Sequence, residues 1–162
     1  MAEKMVTLLL WFCAIGSGLV AGLFFAFSTF IMPALAKIAP VHGISTMQSI
    51  NSTILRSLFM PVFFGTTLAS VVLAVAALMQ WGQPGALPML SGALIYILGM
   101  FICTVVFNVP LNNQLAAISA QSDEALPVWS RYLSQWTRWN HVRTIASTVA
   151  CSLFIAALLR AG

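Results

Sequence analysis

Charge is what this chain has least of. Its 162 residues include seven Lys or Arg and three Asp or Glu, 6% in all, against about 25% in an average soluble domain. So few charges cannot coat a water-soluble body of this size, so most of the surface of a chain that is 60% hydrophobic must face lipid. The seven basic residues are scattered between apolar runs and form no stripe, which excludes a nucleic-acid surface. Carboxylates are missing from every long apolar run, which removes the usual machinery of a proton-coupled transporter and of a carboxylate-bridged di-iron site. Cysteine is scarce too. Cys13, Cys103 and Cys151 lie in apolar segments without CxxC or Cys/His spacing, so they read as packing residues, and two histidines are too few for a tight protein-only metal site.

What is present is long apolar runs. Uncharged stretches able to cross a hydrocarbon layer of about 30 Å run over 5–32, 58–80, 87–108 and 144–159. The fold class this implies is an all-α membrane protein, a four-transmembrane-helix bundle forming one domain over 1–162. The first run is too long for a signal-peptide core and reads as a mature helix. Trp81 to Pro88 is a Gly/Pro turn, whereas Pro33 to Ser57 and Val109 to Arg143 are long connections on the same side of the membrane. In the first of these, Ile44, Met47, Ile50, Ile54 and Leu58 recur at helical spacing opposite Ser45, Gln48, Ser49 and Ser52, a short amphipathic interfacial helix between helices 1 and 2. In the second, Trp129, Tyr132, Leu133, Trp136 and Asn140 share a stripe, which predicts a helical extension preceding helix 4.

Trp81, Trp129, Trp136 and Trp139 flank the spans, where interfacial anchors belong. Lys37, Arg56, Arg131, Arg138 and Arg143 outnumber Lys4 and Arg160, so the positive-inside rule places the long connections in the cytoplasm, with the bilayer as partner and a bacterial inner membrane as the setting. Ala14, Gly18, Gly22 and Ala26 recur every four residues, allowing close helix approach and a homo-oligomer through the Gly18/Gly22 face. Gly92, Tyr96, Gly99 and Cys103 make a similar face on the third helix, where Tyr96 needs a partner for its hydroxyl.

Polar residues gather at one end of the bundle. Thr104, Asn108 and Asn112 are spaced i, i+4, i+8, with Pro110 expected to free a carbonyl, push Val109 out of helical geometry and bend the chain. The fourth helix carries Thr137, His141, Thr144 and Thr148 on one stripe and Asn140, Arg143 and Ser147 on the next. Arg143 entering lipid must face the bundle interior or snorkel to the headgroups. Of the two histidines, His141 is the one in this polar cluster, so it reads as a base, with Asn108, Asn112 and Arg143 as donors to an anionic oxygen and Asn140 orienting the imidazole.

The strings from Gly22 to Leu35 (GLFFAFSTFIMPAL), Met47 to Asn51 (MQSIN), Phe107 to Asn112 (FNVPLN) and Trp136 to Thr144 (WTRWNHVRT) resemble a bacterial member of the anthrone oxygenase-like family, over about 16–158. The resemblance implies a membrane oxygenase or oxidoreductase acting on a small lipophilic phenol, anthrone or quinol, without a conventional cofactor, and for such a substrate Phe24, Phe27, Phe30, Trp136 and Trp139 would supply aromatic walls, with Asn51 a further substrate-binding residue. The alternatives left open are a redox carrier holding a quinone or a haem ligated by His141 and His42, and a non-catalytic subunit whose polar cluster seals the bundle.

Overall fold

The computed structural model describes residues 2–161, and among them every regular element is helical. Five helices follow in order. Helix α1 runs over Ala2–Ala26 and continues through a π-helical turn, Phe27–Ile31, into Met32–Leu35. Helix α2 is Pro40–Ile54 and α3 is Phe59–Met79. Helix α4 is one rod made of Ala86–Ile95, two π-helical stretches, Tyr96–Ile102 and Thr104–Asn108, and Val109–Ala116. Helix α5 is Ala125–Ala161. Four of these, over Glu3–Leu35, Phe59–Met79, Ala86–Ala116 and Ala125–Arg160, are long and apolar enough to cross a membrane. The chain is a helical membrane bundle.

The four long helices close a ring in which α1 packs on α5 and α3, and α4 packs on α3 and α5. Small residues set the close approaches. A Cβ at Gly99 would sit 2.6 Å from the Ala146 Cβ, and one at Gly92 would meet Leu153 and Phe154 at 3.1 and 3.2 Å, so the small face expected on α4 is its seam with α5. Tyr96 on that seam is fully buried, but its hydroxyl finds no hydrogen-bond partner. The α1 stripe divides. Ala14 is buried and Gly18 faces Cys151, whereas a Cβ at Gly22 would meet nothing within 4 Å.

Helix α2 folds against the protein. Ile44 and Met47 are buried in a second core with Leu111, Leu115, Trp129 and Tyr132. Gly43 is required there, because a Cβ would lie 2.8 Å from the Trp129 ring. Gln48 donates to the carbonyls of Leu115 (2.8 Å) and Ile118 (3.0 Å), satisfying acceptors that the end of α4 leaves open. Trp129 and Trp136 are 4% exposed, so these two are core residues, whereas Trp81 is 65% exposed and Trp139 is half-buried.

The break expected at Pro110 does not occur. Val109 stays helical (φ −61°, ψ −46°) and the rod continues to Ala116. The strain is relieved upstream instead, where Thr104–Asn108 widens to π-helical spacing. Pro33 likewise follows the π turn Phe27–Ile31.

Replacing Gly99 with alanine should lower the thermal midpoint of the detergent-solubilised protein, a cost of about 1–3 kcal/mol for overpacking a seam. Gly22→Ala, placed in open space, should leave the midpoint unchanged or raise it, as removing a helical glycine gains up to about 1 kcal/mol. Differential scanning fluorimetry of both variants checks the pair.

Candidate functional site

A cavity of about 290 Å³ lies where α1, α3, α4 and α5 meet α2. Its walls are mostly apolar: Phe24 and Phe27 from α1, Met47 and Ile50 from α2, Phe59 and Phe63 from α3, Phe101 from α4 and Trp136 from α5. Four polar side chains join them, Asn51, Thr104, Asn112 and Arg143. Few oriented polar groups in an aromatic shell are the usual composition of a small-molecule site.

Arg143 dominates it. The residue is 4% exposed, and its guanidinium carbon lies 4.1 Å from the centroid of Phe24 and 5.0 Å from that of Trp136. One terminal nitrogen donates to Asn140 Oδ1 (2.7 Å), the other to Thr104 Oγ1 (3.4 Å), and Nε has no partner. The chain's carboxylates, Glu3, Asp123 and Glu124, are all exposed, and none lines the cavity. Removing such a cation from water costs several kcal/mol, which two aromatic faces and two hydrogen bonds offset in part. The arrangement is a fixed positive charge with donors to spare, beside an apolar space.

Asn140 holds it there. Fully buried, Asn140 donates through Nδ2 to the Phe24 carbonyl and to Ser28 Oγ, both at 2.7 Å, and accepts from Arg143 through Oδ1. The amide thus ties α5 to α1 and aims the guanidinium, not an imidazole. At the α2 end, Asn51 Nδ2 donates to the Tyr132 hydroxyl (3.3 Å), which donates to Asn112 Oδ1 (2.8 Å). Tyr132 is stacked between Trp129 and Trp136, with centroids 5.8 and 5.7 Å away.

The structure therefore brings together Arg143, Asn112, Asn51, Phe24, Phe27 and Trp136 around the cavity, with Asn140 directly behind. Other expected members lie elsewhere. His141 is exposed and outside the lining, because two residues from Arg143 is about 200° of helical rotation and puts it on the far side of α5. His42 is exposed as well, so neither histidine presents a ring nitrogen to the cavity. Among the described residues no three His, Cys, Asp or Glu side chains gather as a metal site. Phe30 is 60% exposed on α1, and Trp139 stacks on Phe107 (centroids 3.6 Å apart) outside the cavity. Asn108 is fully buried but acts as a strut, its Nδ2 donating to the Trp136 carbonyl at 3.2 Å. Thr104 and Tyr132 escaped the expected site set, although Tyr132 stands eleven residues, close to three full turns, before Arg143 and so shares its face.

These features define a class: a helical membrane protein with an aromatic cavity built on a buried guanidinium. The family model described as "Anthrone oxygenase" matches residues 58–153, and the chain belongs to that family. No curated protein and no solved structure matches the chain. The matched stretch carries Thr104, Asn112, Tyr132, Asn140 and Arg143, while the walls from α1 and α2 precede it.

Asn140→Ala removes three hydrogen bonds, one of them to a charge, and should destabilise the fold by about 2 kcal/mol. Asn108→Ala removes a single neutral bond and should cost nearer 0.6 kcal/mol, the average within a bilayer. Thermal midpoints in one detergent compare them.

Proposed function

We propose that the protein is a membrane oxygenase for a flat, lipophilic, weakly acidic aromatic ketone or phenol of the anthrone type, with Arg143 as the group that stabilises its oxyanion. The observation carrying this reading is a buried guanidinium that has no carboxylate partner and stands on the wall of an aromatic cavity, in a chain of the anthrone oxygenase family. Burial in a low-dielectric surround strengthens such a charge against a bound anion.

The chemistry follows from that charge. An anthrone loses a proton from the ring carbon opposite its carbonyl, and the negative charge settles on the carbonyl oxygen. A cation beside that oxygen favours the ionised form of the bound ligand. No carboxylate or imidazole lines the cavity, so the proton is left with water at the membrane interface. The electron-rich ring carbon then adds dioxygen to give a peroxide anion, which takes a proton back from water, and the resulting hydroperoxide loses water to leave a ketone. One oxygen atom is retained and the other departs as water. Arg143 binds and polarises, Thr104 and Asn140 keep it in place, and Phe24, Phe27 and Trp136 hold the rings. The setting is a multi-pass protein of a bacterial inner membrane, with the α2 end of the bundle on the cytoplasmic side.

Arg143→Met should lower oxygen consumption with anthrone in proteoliposomes by about a hundredfold or more, the scale of losing an oxyanion donor. Arg143→Lys keeps the charge but loses the planar fork and should recover only part. His141→Ala, on the outer face, should stay within about twofold of the parent, as surface substitutions do. Full activity in Arg143→Met, or its loss in His141→Ala, overturns the assignment.

A further inference from the structure

Part of the cavity wall is also outer surface. Leu55, Phe64, Val105 and Val109 all line the cavity, yet they are 64%, 53%, 48% and 39% exposed. They belong to the end of α2, to α3 and to α4. Helix α3 packs against the part of α4 nearest their shared turn, Ala86–Ile95 and Tyr96–Ile102. Beyond it, Thr104–Asn108 and Val109–Ala116 pack on α5, and the latter also on α2. The two helices thus meet at one membrane face and part toward the other. Phe63, Phe64 and Phe101 fill the fork, with Phe101 centroids 5.5 and 6.1 Å from those of Phe63 and Phe64.

A hole rimmed by four large exposed apolar side chains would be a liability in water, whereas in a bilayer it faces acyl chains. We propose that the gap between α3 and α4 is a lateral mouth, through which an aromatic amphiphile with one ionisable oxygen passes from the bilayer to Arg143. The inference rests on the reading of Arg143 as the oxyanion group. Two features of the mouth select this passenger. The exposed residues of its lining, Leu55, Phe64, Val105 and Val109, are all apolar, and the polar ones, Asn51, Thr104, Asn112 and Arg143, are half-buried or buried, so rings can slide past the rim while the oxygen finds its polar partners on the less exposed walls. Of the rim residues, Val105 is the one adjacent to Thr104, which bonds Arg143.

The test uses the full chain in vesicles under argon, with anthrone as probe, read by stopped-flow quenching of the fluorescence component that Trp136→Phe removes. Val105→Trp and Leu55→Trp should each slow association and dissociation together by about tenfold or more, because a plug obstructs the path in both directions. Val106→Trp, equally lipid-facing at 51% exposed but outside the lining, should match the parent. Diluting vesicles at a fixed probe-to-lipid ratio should leave the parent's rate unchanged. Unchanged rates in both plugged variants, a Kd that weakens while association stays fast, or a rate that falls on dilution would each overturn the mouth while leaving the site intact. A parent that binds no anthrone overturns the oxyanion reading and the mouth with it.

Discussion

A guanidinium held between two aromatic rings inside a membrane bundle is the constraint around which this molecule is organised. Arg143 cannot be left in such a place without support, so the surrounding residues are chosen by what the cation needs. Phe24 and Trp136 offer ring faces, Asn140 and Thr104 offer oxygens, and Asn140 spends its own amide on α1 to stay oriented. Apart from Phe24, these groups lie on α4 and α5, the helices sewn together by Gly92 and Gly99. The seam and the site are thus one problem, since a wider spacing of α4 and α5 would pull Thr104 away from the cation. What the protein does not provide is a negative charge, and that omission leaves the positive potential available to a ligand.

The fold was plain in the sequence because lipid imposes a coarse rule. Runs of about twenty uncharged residues and a Gly/Pro turn suffice to lay out four spans, and the period of Ile44, Met47 and Ile50 places α2. The site was half legible. Arg143, Asn112 and Phe24 follow from asking where a costly polar group could hide. His141 lies outside the cavity although two neighbouring stripes of α5 look like one broad polar face on paper: of its own stripe Thr144 reaches the bundle, bonding Ser28, while His141 stays exposed. The stripe with Arg143 turned inward because Phe24, Ser28 and Thr104 on other helices satisfy it. Phe30 lies outside the lining in the same way, three residues from Phe27 within the π turn that changes the phase of α1, and 60% exposed. Such phase changes leave no mark in an apolar run.

Of the three π-helical stretches, Phe27–Ile31 and Thr104–Asn108 precede a proline, and each supplies lining residues, Phe27 from one and Thr104 with Val105 from the other; the third, Tyr96–Ile102, supplies Phe101. A proline one turn below the membrane end of a helix would ordinarily force a kink. With the turn above it widened, the helix continues past its proline, and the residues before it are rotated relative to those after. The same chemical irregularity that lets the helix pass its proline therefore decides which side chains point at the ligand space.

Helix α5 has 37 residues, a length of about 55 Å, nearly twice the hydrocarbon thickness. Tyr132, Trp136, Asn140 and Arg143 are all mounted on this single rod, so their mutual spacing is fixed by the repeat of one helix rather than by how its neighbours pack. The rod works as a ruler. However the neighbouring helices pack, the marks against which a ligand is measured keep the same spacing.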